Sequence, residues 1–380
     1  MHIVIDRNIP FGERVFSTLG EVTALETVDI QASAVRNADI LVIRSETKVN
    51  AALLGGSPVR FVGTATIGTD HVDLDYLARC GIGFASAPGC NANSVAEYVA
   101  AALLTLSQRL RFSLAGKSLG IVGIGNIGSK VVKVGEALRM SVLQNDPPLA
   151  RQTGNACFLP LDALMDVDVL TLHVPLSRTG PDATYHFFDA ARIGAMKPGS
   201  MLINASRGAV VDTAAIGNAL ARKHLAGAVL DVWEKEPTIN AGLLSQVTIG
   251  TAHVAGYSLD GKVNAVRMIY RALCDFLHVQ PIWDGWDELP APANPEISVQ
   301  VHGEREGVLQ KVIAQCYDIE LDDSLLREMI AQPEDCRAGY FMRLRTGYRM
   351  RREFFATKLD LSPEQRELTD TLKTLGFTVG

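Results

Sequence analysis

Apolar runs of four to eight residues recur along the first ninety positions, each followed by a stretch of mixed polarity. "HIVI", "EVTALE", "ADILVIR", "VRFVGTAT" and "GIGFASAP" read as buried strands, separated by amphipathic segments and punctuated by Gly, Pro, Asp and Asn. Strands alternating with helices predict a parallel sheet with crossover helices. A second series starts at Ser118, with strands expected at "LGIVGI", "SVLQND", "VLTLHV", "SMLINA", "GAVLDV" and "VTIGTA". That is a second doubly wound set.

Between the two series runs "VAEYVAAALLTLSQRL", nearly continuous in apolar residues. It predicts a helix buried between domains. Ser94 and Glu97 at its start have the spacing of a capping box. After Gly256, "SLDGKVNAVRMIYRALCDFL" carries a strong helical period. The pattern then breaks at "GWDELPAPANPE", where Pro290, Pro292 and Pro295 mark a linker. The last segment begins with a strand-like "EISVQVHG" and continues in charged helices.

Composition narrows the picture. At 380 residues the chain calls for two or three domains. No apolar run approaches the ~20 residues of a membrane span, and "MHIVIDRN" reads as a strand, not a leader. The six cysteines are scattered, without metal-like spacing, as expected of reduced thiols in the cytoplasm. A net charge of −6 gives no support to a nucleic-acid partner.

Candidate chemistry begins at "LGIVGIGNIGSKV". Gly123, Gly125 and Gly128 form G-x-G-x-x-G between an expected strand and an expected helix, the context in which the motif marks a dinucleotide site. Gly123 permits the turn, Gly125 the approach of a pyrophosphate, and Gly128 the packing of helix on strand. The N–H groups near Asn126 and Ile127 then face the diphosphate. Asp146 ends the next strand, where a carboxylate meets the ribose hydroxyls; that favours NAD over NADP. A plain turn-capping role for Asp146 before Pro147-Pro148 is the alternative.

Three further residues follow strands of the second series, at the edge where open parallel sheets bind ligands: Arg207, Glu236 and His253. A lone histidine is usually structural. Beside a carboxylate, an arginine and a nicotinamide it gains a purpose. Alcohol oxidation needs a base for the hydroxyl proton, and histidine titrates near neutrality. Glu236 would orient the imidazole and stabilise the imidazolium. Arg207, always charged and bidentate, suits a carboxylate and the oxygen of a 2-keto acid.

"GIVGIGNIG", "MKPGSMLINASRGAVVD", "GAVLDVWEKEP" and "TAHVAGYS" resemble the D-isomer-specific 2-hydroxyacid dehydrogenases over roughly residues 1–285. The resemblance implies an α/β chain of two Rossmann-like domains with a small α+β C-terminal dimerisation domain. Expected boundaries are 1–93 plus 257–286 for a substrate-binding lid, 94–256 for the NAD-binding domain and 287–380 for the tail. It places a catalytic trio on Arg207, Glu236 and His253, and cofactor contacts at Asp231, at the Gly256 backbone, at Pro175 and at Ser206. In the lid it implies backbone donors to the substrate carboxylate near Ala65, Thr66 and Ile67, with Arg44, Ser45, Thr66 and Tyr257 as candidate substrate contacts.

The short linker "QRLRFSLAGKS", Tyr257 and the unusual tail point, by resemblance, to a member acting on a four-carbon 2-hydroxyacid with a terminal phosphate. D-3-phosphoglycerate oxidation and a non-enzymatic NAD-sensing scaffold are the alternatives. Arg44 is a candidate for the phosphate, and the tail offers Arg337, Arg343, Arg345, Arg349, Arg351 and Arg352. Most of these read as solvated helix-face charges; one or two, Arg345 or Arg349 above all, are expected to reach an active site. A homodimer is implied, with the tail extending its interface.

Overall fold

A computed structural model of the chain describes residues 1–299 and 303–380. The chain divides into two compact units, Met1–Asn91 with Ser258–Pro290, and Ala92–Tyr257 with Ala291–Gly380. The tail beyond the proline linker thus belongs to the same unit as the glycine motif.

In the first unit, β1 (His2–Asp6), β2 (Glu21–Leu25), β3 (Ile40–Ile43), β4 (Phe61–Thr64) and β5 (Gly83–Ala85) form a parallel sheet in the order β2-β1-β3-β4-β5. The short helices α1 (Gly12–Phe16), α2 (Ala51–Leu54) and α3 (Leu74–Arg79) connect them. Both faces are apolar, as a sheet covered on both sides requires. Ile3, Ile5, Ile40 and Val42 pack into one core, and Val4, Leu41, Ile43 and Val62 into the other.

The second unit opens with α4 (Ala92–Leu110) and continues through β6 (Ser118–Val122), α5 (Gly128–Ala137), β7 (Ser141–Asn145), α6 (Pro147–Thr153), β8 (Val169–Leu172) and α7 (Ala190–Ala195). Then come β9 (Met201–Asn204), α8 (Thr213–Ala221), β10 (Gly227–Leu230), α9 (Ala241–Gln246) and β11 (Ile249–Gly250). The sheet is parallel, in the order β11-β10-β9-β8-β6-β7. The chain steps from β6 outward to β7 and returns to β8 on the other side, so the strand order reverses at β6. All eleven strands expected from the apolar runs are present. The helix expected after Gly256 is α10 (Leu259–Leu277), which belongs to the first unit.

In the tail, β12 (Glu296–Val299), β13 (Lys358–Leu361) and β14 (Thr378–Val379) form a three-stranded parallel sheet, and the tail's helices are α11 (Arg305–Cys316), α12 (Ile319–Arg327), α13 (Glu334–Thr346) and α14 (Thr369–Thr374). The second half of the expected strand "EISVQVHG" falls on 300–302, outside the described residues. The tail enters the cores on both faces of the second unit's sheet. Val308, Leu309, Val312 and Phe354 join α4 and α5 on one side, while Leu326, Met329 and Phe341 join the other.

The capping-box reading of Ser94 and Glu97 does not hold. The helix starts at Ala92, so both residues lie inside it and turn to the tail. Ser94 donates to Glu353 Oε1 at 2.8 Å, Glu97 accepts the Phe354 N–H at 2.6 Å, and Arg351 lies 3.4 Å from Glu97. These groups are all buried. The apolar helix is covered by α5 and by the tail's α11 and α12.

Candidate active site

Parallel strands place their carboxyl ends along one edge, and the loops there carry the candidates. At the end of β6, Gly123 has φ +89°, and a β-carbon on it would lie 2.6 Å from the His173 carbonyl oxygen. One on Gly128 would lie 1.9 Å from the Gly123 oxygen. Both positions need glycine for close backbone packing. Gly125 is different: nothing lies within 4 Å of where its β-carbon would be. That open cradle, just ahead of Asn126, Ile127 and the first turn of α5, fits a dinucleotide's pyrophosphate.

Asp146 is half-buried. Its Oδ2 accepts the Ile124 N–H at 2.8 Å and its Oδ1 the Leu149 N–H at 2.9 Å. It therefore caps α6 and ties the strand end to the glycine loop. Each carboxylate oxygen keeps a second lone-pair direction for a ribose hydroxyl. Pro175 lies exposed just past β8, and its carbonyl accepts the Thr184 hydroxyl.

The loop after β9 presents Arg207. Buried Asn204 shapes it: its Oδ1 accepts both the N–H and the hydroxyl of Ser206, at 3.1 and 2.8 Å, and its amide donates to the Arg207 carbonyl at 3.0 Å. Arg207 itself donates to the Ser206 carbonyl. Sequence reasoning passed over Asn204, although a strand-end Asn is a turn signal.

The loops after β10 and β11 meet in a hydrogen-bonded pair. Nδ1 of His253 lies 2.7 Å from Glu236 Oε2, and Glu236 Oε1 accepts the Trp233 N–H at 2.8 Å. Burial works to raise the Glu236 pKa, but the charge and hydrogen bond of His253, the Trp233 N–H and the charge of Arg345 outweigh it and hold the carboxyl below its ordinary value. With Glu236 ionised, Nδ1 carries the ring proton and Nε2 is left to exchange one.

Asp231 holds this loop from below. It is buried, its carbonyl accepts the His253 N–H at 2.7 Å, and its carboxylate accepts from Thr251 Oγ1, Val254 N and Ala255 N at 2.6, 2.8 and 3.0 Å. Burial raises its pKa against the pull of His253 and these donors. His253 is kept at φ +55°, a conformation that costs a β-carbon-bearing residue ~1–2 kcal/mol. The turn continues through Gly256 to Tyr257, whose N–H returns to the Val254 carbonyl.

The first unit carries the remaining candidates. Arg44, just past β3, lies 3.9 Å from Glu46, and Ser45 is exposed. The Ala65 N–H is engaged by the Ile43 carbonyl at 2.8 Å, which leaves Thr66 and Ile67 as the backbone donors to consider. The Thr66 hydroxyl bonds locally to Thr64 Oγ1 and the Gly68 carbonyl. Lys262, near the start of α10, was not singled out from sequence. Burial, and then the like charge of Arg44, lower its pKa.

The family model for the NAD-binding domain of D-isomer specific 2-hydroxyacid dehydrogenases matches residues 93–255, and a domain of unknown function matches residues 288–376. The erythronate-4-phosphate dehydrogenase of Chromohalobacter salexigens is 44% identical, over all of this chain and 99% of the relative. That of Salinibacter ruber is 45% identical, over 93% of this chain and 92% of the relative. Among solved structures, D-lactate dehydrogenase from Aquifex aeolicus, complexed with NAD and lactic acid, superposes with a TM-score of 0.63 at 26% identity, over 73% of this chain and 96% of that one. Fold and motifs together define a D-isomer-specific 2-hydroxyacid dehydrogenase with an NAD-binding domain. Within that class, the chain belongs to the erythronate-4-phosphate dehydrogenase family.

Proposed function

We infer that the chain oxidises 4-phospho-D-erythronate at C2, giving 2-oxo-3-hydroxy-4-phosphobutanoate, a step toward pyridoxal 5′-phosphate in the cytoplasm. The observation that carries the chemistry is the 2.7 Å contact between His253 Nδ1 and Glu236. It sits on the same sheet edge as the glycine cradle. The full-length likeness to erythronate-4-phosphate dehydrogenases supports the substrate.

NAD, when bound, supplies the hydride acceptor, held at Gly123–Gly128 with Asp146 toward the ribose. His253 Nε2 takes the hydroxyl proton as the C2 hydrogen leaves with its electron pair, and the C2–O bond becomes a carbonyl. Glu236 balances the imidazolium that forms. Arg207 holds the substrate carboxylate and the C2 oxygen, where its fixed charge favours the polarised carbonyl. In the first unit, Arg44 and Lys262 are like charges whose mutual repulsion an anion relieves. They are the candidate phosphate holders, with Ser45, Thr66 and Ile67 as further substrate contacts.

We further propose a homodimer extended by the tail. Leu321, Ile330, Met350 and Phe355 of the tail are exposed apolar residues in the single chain and support such an interface. Sedimentation of the full-length protein tests it; a monomer at micromolar concentration would overturn it. Among the described residues, no helix is long and apolar enough to cross a membrane.

The test of function is nicotinamide reduction with 4-phospho-D-erythronate and, separately, D-3-phosphoglycerate. A 2-ketoacid is present to recycle any retained cofactor, and His253→Ala runs alongside. Turnover of the first substrate, lost in the variant, is the expected result. Turnover of D-3-phosphoglycerate alone would overturn the substrate. Silence on both with NAD still bound would leave a cofactor-sensing protein.

A further inference from the structure

The tail arginines fall into distinct settings. Arg337 caps a helical turn through the Gln332 and Ile330 carbonyls. Arg349 pairs with Asp322 and donates to the Asp318 carbonyl. Arg351 is buried on Glu97 and the Ser94 carbonyl. Each of these three ties the tail to itself or to α4.

Arg345, in the last turn of α13, faces the reacting loops instead. Its Nη2 donates to the Tyr257 hydroxyl at 3.2 Å, and its guanidinium carbon lies 5.9 Å from the Tyr257 ring centre. Tyr257 follows His253 by four residues in one tight turn. Tyr348, also from the tail, packs edge-on against the Tyr257 ring, with centres 5.7 Å apart. Two tail residues thus hold the side chain that ends the histidine loop.

We propose that Arg345 is a positioning residue for the oxidation: braced on Tyr257 at the end of the histidine loop, its guanidinium places a positive charge that opposes the pull of Glu236 on a protonated His253. The inference rests on the acid–base reading of that pair. A carboxylate facing only an imidazole puts its whole field into stabilising the imidazolium, so the ring would take the substrate proton and return it poorly. A cation held on the same loop adds a field of opposite sign and so disfavours the imidazolium. The influence of Arg345 on Glu236 has the required sign. Asp231 lies beneath His253, the Arg207 loop runs beside the loop that carries Glu236, and Arg345 comes from the tail.

The experiment compares Arg345→Gln, Arg345→Lys and Tyr257→Phe in the full-length enzyme. It measures kcat/KM against pH with 4-phospho-D-erythronate and with D-erythronate. Removing a positive charge makes proton uptake by the pair easier. The acid limb of Arg345→Gln therefore moves up by roughly half to one pH unit, with either substrate. Arg345→Lys restores most of the shift, and Tyr257→Phe, which keeps the ring but removes one anchor, shows a smaller shift in the same direction. An unmoved limb overturns the proposal. If the loss is then confined to KM for the phosphorylated substrate, Arg345 holds the phosphate instead. Failure of the substrate reading shows separately, as a wild-type chain that reduces NAD with another D-2-hydroxyacid but not with 4-phospho-D-erythronate; the pH comparison then runs with that acid.

Discussion

Gly208 lies against the backbone of Trp233, so that a β-carbon on it would come within 2.0 Å of the Trp233 carbonyl carbon and 2.5 Å of the Glu234 nitrogen. This approach sets the Arg207 loop beside the loop that carries Glu236. Gly208→Ala must push the two apart, since both sides of the contact are backbone. We expect a fall in kcat/KM of about a hundredfold, the order seen when catalytic groups shift by an ångström. NAD affinity, which the proposed cradle after β6 would govern, should change far less. Near wild-type kinetics would show that the loops are not held by this contact.

Glu236→Gln keeps the shape of the side chain but cannot balance an imidazolium. Its kcat should fall by roughly 10²-fold or more, the range of general acid–base contributions. Cofactor titration should be unchanged. A variant with near-normal kcat would remove Glu236 from the chemistry.

The glycines of the cradle should separate by role. Gly125→Ala meets open space, so the cofactor-free protein should keep its stability within about 0.5 kcal/mol while losing NAD affinity. Gly128→Ala collides with the Gly123 carbonyl and should destabilise the protein even without cofactor. Denaturation and NAD titration of both variants check this. Equal behaviour would argue against the cradle.

Acid stability should carry the mark of His173. The residue is half-buried, but its Nδ1 is sealed from solvent without a polar partner among the described residues, and burial lowers its pKa to about 3. Between pH ~6.5 and 3 the unfolded chain binds a proton that the native protein refuses. Its contribution is therefore whole above ~6.5 and is lost as pH falls, at up to ~1.4 kcal/mol per unit. At Asp168, burial opposes ionisation, but the Ser118 N–H and hydroxyl with Lys197 and Lys117 prevail and hold the pKa at about 2. That contribution is present above the unfolded value of ~3.9 and lost as pH falls toward 2. Urea denaturation from pH 7 to 4 should show the His173 slope, and His173→Gln should flatten it. An unchanged slope would mean the ring is protonated in the native state.

The buried cluster under the tail gives a stability prediction. The side chains of Arg351 and Glu97 are only 2% and 5% exposed. Removing one partner of a buried ion pair typically costs ~3–5 kcal/mol, because the other charge is left behind. Arg351→Met should show that loss in denaturation. Arg351→Met with Glu97→Gln should cost less than the sum of the two single changes. Strict additivity would mean that the two groups are not coupled.

Much of the fold was legible because strands covered on both faces must be apolar throughout, and such runs stand out against Gly and Asp turns. The proposed carriers of the reaction stood out for a related reason: Arg207, Glu236 and His253 each follow a strand that periodicity already located. Contacts between distant segments were not legible. Ser94 and Glu97 have the spacing of a helix cap, and only the approach of residues 351–354 shows their actual use. Nor could helical spacing single out Arg345 among the tail's arginines. Its distinction is a contact with Tyr257, 88 positions away. Asp231 was read from sequence as a cofactor contact; what its buried carboxylate does in the fold is organise the 251–255 loop, a task no local pattern announces.

Because the tail contributes side chains to the cores on both faces of the NAD-binding sheet, it is not a detachable appendage. A protein cut at the proline linker would bare α4, an apolar helix carrying Glu97 without its arginine, and would be expected to aggregate before its assembly state could be read. Grafting the tail onto a shorter dehydrogenase faces the same obstacle in reverse. The recipient would need Ser94 and Glu97 on its first helix and a tyrosine at the end of its histidine loop before the graft could seat.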